Sequence, residues 1–331
     1  MKKKLPLCTI LIPFFNEEKN IQSCFHSLLN QTYKEIEIIF IDDGSTDRSS
    51  LIIDELMKKN LIFKIKKLHQ ENRGAAKARE LGLLNATGDF IAFLDCDDIL
   101  SNDAIESAMA NFLIEDNSVD ISLFRLKFIT KNENDGYFFK LYEERKNFLG
   151  KSAFENSIEE WGIHGLGIYR KIILNQAYST YDKYRDSKGI ENNINNDEII
   201  TRIAFFFSRE LSLSEGIYYY RNNVESTTRK INTNIYRKIT NVIILYDFIL
   251  NEDKNKNENI IKTKTLLSDT IWDISKKYSL WKNEINNKDA WRKEIKRGLF
   301  LFFTTSIFYN KKERKVKRII RMIKSKILIN F

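Results

Sequence analysis

The chain has 331 residues, 43% of them hydrophobic, which is material for a large core plus an appendage, and a formal charge of +9. Its three cysteines, Cys8, Cys24 and Cys96, are too few and too unevenly spaced for a disulfide framework, so a small secreted scaffold is excluded and a reducing compartment fits. The basicity suggests nucleic acid, but residues 311–331 hold six lysines and three arginines against Glu313 alone; the rest of the chain is close to neutral and no nucleic-acid partner is expected.

Met1-Lys2-Lys3-Lys4 leads at once into strand-like sequence rather than an apolar signal segment, which places the expected catalytic part in the cytoplasm. Leu7 to Pro13 predicts a buried strand ending in Phe14-Phe15-Asn16-Glu17-Glu18, after which Ile21, Phe25, Leu28 and Leu29 recur at helical spacing. Ile36 to Ile41 is a β-branched run that breaks at Asp42-Asp43-Gly44-Ser45-Thr46-Asp47, with Leu51, Ile52, Leu56 and Met57 following on one helix face. A third run, Leu61 to Leu68, leads to Asn72-Arg73-Gly74 and the helix-forming stretch Lys77 to Ala86. Thr87-Gly88-Asp89 then turns the chain into Phe90 to Leu94, which ends at Asp95-Cys96-Asp97-Asp98, with a helix expected from about Ser101 to Asp103 onward.

Strand alternating with helix argues for an α/β fold, a Rossmann-like, mainly parallel sheet flanked by helices, whose strands open their carboxyl ends on one edge. The acids at the four junctions therefore converge. Two carboxylates, Asp95 and Asp97, at the end of a buried strand are oxygen ligands of the kind a hard divalent cation prefers. For this tetrad alone, a polar turn that caps the next helix remains the other reading.

Further along, Trp161-Gly162-Ile163-His164 lies between these junctions and the next polar stretch. The polar stretch Asp186 to Asn196 runs into Asp197-Glu198, after which Ile199, Ile200, Ile203 and Phe207 describe a helix; Ile217 to Arg221 and Ser226-Thr227 come after it. A polar link from Glu225 to Asn234 separates this from mostly helical sequence beginning at Ile235, interrupted by an Asn/Lys-rich loop around Asn251 to Asn259. The apolar run Leu299 to Tyr309 is too short to span a bilayer. In the tail, Val316, Ile319, Ile320, Ile323 and Ile327 recur at three- and four-residue steps among lysines and arginines, so residues 311–331 read either as a basic amphipathic helix on an anionic membrane or as an internal packing helix with a solvated charged face.

Taken together, Pro13 to Glu18, Ile41 to Asp47, Asn72-Arg73-Gly74 with Arg79 after it, Thr87-Gly88-Asp89 and Phe93 to Asp98 closely resemble the nucleotide-sugar domain of the family 2 glycosyltransferases, inverting enzymes of the GT-A fold. The resemblance implies a catalytic domain over residues 1–230, its nucleotide-sugar half about 1–115 and its acceptor half about 116–230, followed by a helical region at 231–331. It implies that Pro13, Phe15, Asn16 and Glu17 lie along the nucleoside of a nucleotide-sugar donor, expected to be a UDP-sugar, with Asp42 first and Asp43 second as acceptor of the uracil imide hydrogen. Asn72, Gly74, Cys96 and Arg221 join them on the donor side. Asp95 would touch the ribose or the metal-bound water, and Asp97 would bind a magnesium or manganese ion directly.

Arg79 reads either as a cation reaching a phosphate or an acid of the metal motif, or as a solvated helix charge; Arg221 clamps the diphosphate or makes a surface ion pair. Asp197 stands where the family places its catalytic base, although Asn196 occupies the position of the first acid found in many relatives; an N-cap is the other reading, and Glu198 is the next candidate. Trp161 and His164 line the acceptor pocket or belong to the core. The reaction implied is metal-dependent transfer of a hexosyl or N-acetylhexosaminyl group to a saccharide or lipid-linked saccharide acceptor of a surface glycan. A nucleotidyltransferase is disfavoured because the first junction lacks a glycine-rich, lysine-bearing opening for a triphosphate; a non-catalytic membrane- or RNA-bound scaffold is the remaining alternative.

Overall fold

A computed structural model describes residues 5–59, 62–114, 118–130, 132–187, 194–221, 231–254, 256–304 and 312–329. Contacts divide the chain into two units: Met1–Phe154, Gly162–Tyr178 and Ile200–Asn223 form the first, and Glu155–Trp161, Ser179–Ile199 and Val224–Phe331 the second. The expected boundary near 230, Glu225, Ser226 and Thr227 of the polar link and closing loop, and Met1 to Lys4 lie outside the described residues, as do 188–193 of the stretch before Asp197.

The first unit carries the predicted alternation: β1 (Cys8–Phe14), α1 (Ile21–Leu29), β2 (Ile36–Asp42), α2 (Ser49–Lys59), β3 (Lys64–His69), α3 (Ala75–Asn85) and β4 (Phe90–Phe93). β5 (Ile99–Leu100), α4 (Ala104–Ala110), β6 (Val119–Ile129), β7 (Tyr137–Phe138), β8 (Asn147–Leu149), α5 (Gly150–Ser157), β9 (Gly167–Arg170), α6 (Lys171–Asp186), α7 (Asp197–Phe207) and β10 (Glu210–Arg221) follow. Neighbouring strands lie in the order β3-β2-β1-β4-β9-β6-β10-β5, with β7 beside β6 and β8 beside β10.

β1 pairs in parallel with both β2 and β4, β2 with β3, and β6 with β10. β9 runs antiparallel to β4 and to β6, so one reversed strand sits in the middle of a mainly parallel sheet. The carboxyl ends of β1 to β4, β6 and β10 consequently share an edge. Every residue of β1 and β2 is buried, as expected of central parallel strands covered on both faces, and Phe40 packs against Phe14 and Phe25 with ring centres 6.4 and 6.0 Å away. β3 starts at Lys64, so Ile62 and Phe63 of the expected run precede the strand, and Leu61 lies outside the described residues; β3 is the edge strand, and its lysines blunt that edge while Lys64 and Lys66 reach Glu37.

In the second unit a 3₁₀ turn at Ile235–Arg237 leads into α8 (Lys238–Glu252), α9 (Lys256–Trp281), α10 (Lys288–Thr304) and α11 (Lys312–Leu328). Its core centres on buried Trp291, ringed by Tyr236, Tyr278 and Trp281 at 5.4 to 6.5 Å, with the indole N–H donating to the Thr233 carbonyl at 2.8 Å. Gly298 lets α10 approach closely, because a Cβ there would stand 2.9 Å from both Ile239 and Ile271. The loop expected over Asn251 to Asn259 is much shorter: Asn259 is buried inside α9 and its Nδ2 donates to Asp253 Oδ2 at 2.7 Å, so polar residues that suggested a loop tie two helix ends together.

The expected apolar face of the tail also divides. Met322 and Ile329 of the C-terminal segment are buried in the core, whereas Ile320, Ile323 and Ile327 remain 45%, 51% and 50% exposed. Residues 305–311, which include the end of the run Leu299 to Tyr309, and the Val316 side chain are outside what is described. No described helix is long and apolar enough to cross a membrane.

Candidate active site

The loops after β1 and β2 are laced together by their own polar groups. Asn16, at φ +56°, accepts the amide hydrogens of Thr46 and Asp47 on Oδ1 at 2.8 and 3.3 Å, and its own N–H donates to Ser45 Oγ at 3.1 Å. Asparagine tolerates this left-handed backbone better than most residues. The Glu17 N–H donates to Ser49 Oγ at 2.7 Å and the Glu18 N–H to Asp47 Oδ2 at 3.2 Å. Pro13 is buried within β1, and Phe15 stands half-buried where that strand ends.

The second loop is fastened to the third through Asp43. Its buried carboxylate accepts from Gln70 Nε2 at 2.7 Å and from the N–H groups of Arg73 and Gly74 at 2.8 and 2.9 Å, at the amino end of α3. Gly44, at φ +78°, has no room for a side chain, since a Cβ would come within 2.9 Å of the Asn72 amide nitrogen. Asp42, buried at the end of β2, accepts the Ser45 N–H at 2.8 Å on one oxygen and has His69 Nδ1 3.6 Å from the other. Asp42 and Asp43 therefore differ: three donors grip the second, while among the described residues the first has one backbone donor and, beside its other oxygen, His69.

The loop after β4 gathers the acids. Arg79, on α3, donates to Asp95 Oδ1 at 2.7 Å, so of its two readings the arm reaching the acid motif is the one observed. The Asp95 N–H donates to the Tyr218 hydroxyl at 3.2 Å, which in turn donates to Asp98 Oδ2 at 2.8 Å. Asp98 also accepts the Arg221 N–H at 2.8 Å. The Arg221 guanidinium donates to the Asp97 carbonyl and, at 2.8 Å, to Ser23 Oγ; its Nη2 is buried with no hydrogen-bond partner among the described residues.

Burial, together with the negative charges of Asp95 and Asp97, pushes the Asp98 carboxyl up to about 8. Glu17 is raised as well, by burial first, then by Asp97 and Asp47, with its Asn20 hydrogen bond and Arg221 opposing. Carboxylates are thus crowded at this edge. Among the described residues no three His, Cys, Asp or Glu side chains form a complete metal cage. Two carboxylates completed by substrate oxygens are the usual partial donor set for magnesium, and the crowded negative charge fits such a cation.

Cys96 stands apart from its neighbours. Its side chain is buried in the core beside Cys24, and burial followed by that thiol pushes its pKa well up, so a hydrated ligand meets no thiol there. His164 is buried too. Its Nδ1 accepts the Leu166 N–H at 3.3 Å, Phe139 meets the ring edge-on at 5.2 Å, and burial pulls its pKa down to about 4; of its two readings the core residue is the one observed.

Trp161, Asp197 and Glu198 belong to the second unit. Trp161 is half-buried, and Asp197 and Glu198 form the first turn of α7 behind buried Asn196, whose carbonyl accepts the Ile199 N–H at 3.0 Å. Glu198 lies 3.8 Å from Lys238 and 3.5 Å from Asn195 Nδ2. Sequence reading passed over Tyr218, Asp98, Gln70 and Ser49. Three consecutive tyrosines carry no signal that picks out Tyr218, since Tyr219 is buried as well.

Comparison with known proteins places this geometry in context. The family model described as glycosyl transferase family 2 matches residues 9–176. EpsH of Bacillus subtilis (strain 168), itself only provisionally assigned as a glycosyltransferase, is 29% identical over 234 residues, covering 70% of this chain and 65% of EpsH. TarS of Staphylococcus aureus, a poly(ribitol-phosphate) beta-N-acetylglucosaminyltransferase, is 26% identical over 220 residues, 66% of this chain and 36% of TarS. The matched stretch thus spans less than two thirds of either relative. The structure of TarS 1-349 with UDP-GlcNAc superposes with a TM-score of 0.65 at 19% identity, over 89% of this chain and 81% of that one. The mannosyltransferase PcManGT of Pyrobaculum calidifontis, in complex with GDP-Man and Mn2+, gives 0.52 at 14% identity, over 99% and 88%. These likenesses establish the GT-A architecture expected from the sequence.

Proposed function

Because the chain belongs to glycosyl transferase family 2, we propose that it transfers a sugar from a UDP-linked donor, with inversion and with a divalent cation, to a saccharide acceptor of a surface glycan. The observation that carries this reading is the cluster of three carboxylates at the end of β4, met by Arg79 and by Arg221, whose buried Nη2 has no hydrogen-bond partner among the described residues. A nucleoside diphosphate with its cation suits that edge: a further positive charge beside three neighbouring acids, and phosphate oxygens for Arg221. The UDP-GlcNAc of the TarS complex and the Mn2+ of the PcManGT complex support this choice of ligands.

Each residue then has a task. Asp42, whose second oxygen stands 3.6 Å from His69, accepts the imide hydrogen of uracil, and Phe15 with the Asn16-Glu17 loop lies along the nucleoside. Asp43 rigidifies the base-binding loops through its three donors rather than touching the donor substrate. Asp97 and Asp95 hold magnesium or manganese, which would stabilise the charge developing on the departing diphosphate. Arg79 fixes the orientation of Asp95, while Tyr218 and the Arg221 amide hold Asp98, which shapes the turn. Asp197 takes the proton of the acceptor hydroxyl as it attacks the anomeric carbon. On α11, the exposed Ile320, Ile323 and Ile327 with neighbouring lysines support attachment to an anionic membrane surface.

UDP release from a panel of UDP-sugars with magnesium or manganese tests the reading. Turnover that survives both chelation and the Asp97→Asn substitution rejects it.

A further inference from the structure

The segment that leads into α7 is held from two helices of the second unit. Asn241, buried on α8, donates from Nδ2 to the Ile194 carbonyl at 2.6 Å, and its Oδ1 accepts the Tyr181 hydroxyl of α6 at 3.3 Å. Tyr181 is buried as well, and its hydroxyl is also hydrogen-bonded to the Asn196 side chain. Because the tyrosine proton goes to Asn241, the Asn196 amide is the donor in that second bond. Lys238, three residues before Asn241 and so on the same face of α8, lies 3.8 Å from Glu198 Oε1. The first turn of α8 therefore meets the chain on both sides of Asp197.

Asn196 departs from the ordinary use of an asparagine that precedes a helix. There the side-chain oxygen accepts an amide hydrogen of the first turn. Here Oδ1 is buried with no hydrogen-bond partner among the described residues, and the side chain is directed to Tyr181 instead. Asn195, next to it, takes the left-handed backbone at φ +51°. A forgone cap and a left-handed residue are both unfavourable, and a fold keeps them where the surrounding contacts over-determine the backbone, typically beside a functional group.

We infer that Tyr181 and Asn241 are positioning residues for sugar transfer, fixing the first turn of α7 so that the Asp197 carboxylate meets the attacking hydroxyl in a single orientation. They act through Ile194 and Asn196 rather than on the reacting atoms. A general base serves only within hydrogen-bond reach of the proton it takes, and a displacement of about 1 Å costs roughly a hundredfold in rate. The inference rests on the reading of Asp197 as the base.

Steady-state UDP release by the full chain, with magnesium, the UDP-sugar that wild type turns over fastest and water as the attacking hydroxyl, tests it together with amide hydrogen exchange. Tyr181→Phe, which keeps the ring and its packing, and Asn241→Ala should each lower kcat about tenfold and change KM for the UDP-sugar by about twofold or less. In the Asp197→Asn background neither should lower kcat further, because the group they position is gone. The peptide spanning residues 194–200 should exchange about tenfold faster in both variants, with the β1 and β4 peptides unchanged. A kcat unchanged in both variants, a loss carried by KM alone, an equal loss in the Asp197→Asn background or unaltered exchange over 194–200 overturns the inference. Wild type that releases no UDP, or Asp197→Asn that releases it undiminished, counts against the reading of the site instead, and the exchange over 194–200 then judges the tie to α6 and α8 by itself.

Discussion

Two groups of carboxylates on opposite edges of the same sheet are handled in opposite ways. At the amino edge, buried Glu37 accepts from Thr9 Oγ1 at 2.8 Å and the Thr87 N–H at 2.7 Å, with Lys64 and Lys66 both 3.0 Å from its other oxygen; these donors outweigh burial and pull its pKa down to about 2. At the carboxyl edge, burial and the mutual repulsion of Asp95, Asp97 and Asp98 push Asp98 up to about 8. The donors around Glu37 outweigh its burial, whereas those around Asp98 do not outweigh burial and the neighbouring acids. A carboxyl perturbed in this way marks where a ligand belongs.

The sharpest way to break that contrast is Asp97→Asn. Loss of a charge that serves the leaving group should lower UDP release by about 10³-fold, roughly 4 kcal/mol of transition-state stabilisation. Removing one of three repelling acids should at the same time leave the melting temperature unchanged or raise it. A melting temperature that drops instead would show Asp97 to be a structural residue like Glu37.

Glu37→Ala is the mirror experiment. It strands the Thr87 N–H and two lysines beside a buried gap, and should cost about 3 to 5 kcal/mol in urea denaturation while the turnover of the remaining folded protein is unaltered. Because the folded pKa lies below the ordinary 4.5, this contribution is complete above that pH and disappears as the pH falls toward 2.

His164 refines the comparison with a group held neutral by burial alone. Its folded pKa of about 4 lies below the ordinary 6.5, so the stability it permits is full above 6.5 and is lost as the pH falls to 4, at most about 3 kcal/mol. Denaturation free energies measured across that window should slope for wild type and flatten for His164→Gln. Equal slopes would mean the imidazole gains its proton without penalty.

Much of this site was readable because a central parallel strand is a continuous apolar run and the acids at its end interrupt it sharply; β1, β2 and β4 with their loops follow directly. The reversed strand β9, inserted between β4 and β6, was not readable, since nothing local in Gly167 to Arg170 specifies its neighbours. The task of Asp43 depends on amides thirty residues away, and the choice between pocket and core for His164 depends on what covers it. Such distinctions come from long-range packing, which periodicity does not encode.

The same limit shaped the tail, where helical spacing identified apolar positions but not which of them face the core, and α11 permits the smallest and most discriminating test. Met322 is fully buried, so Met322→Ala should destabilise by about 2 to 4 kcal/mol. Ile320→Ser and Ile323→Ser remove side chains that are half exposed, and each should change stability by about 0.5 kcal/mol or less. If the exposed stripe meets lipid, those same two substitutions should abolish co-sedimentation with phosphatidylglycerol vesicles and leave UDP release in detergent-free buffer untouched. Wild-type protein that stays in the supernatant, or serine variants that sediment as wild type does, would assign the isoleucines to solvent and leave α11 as a packing helix alone.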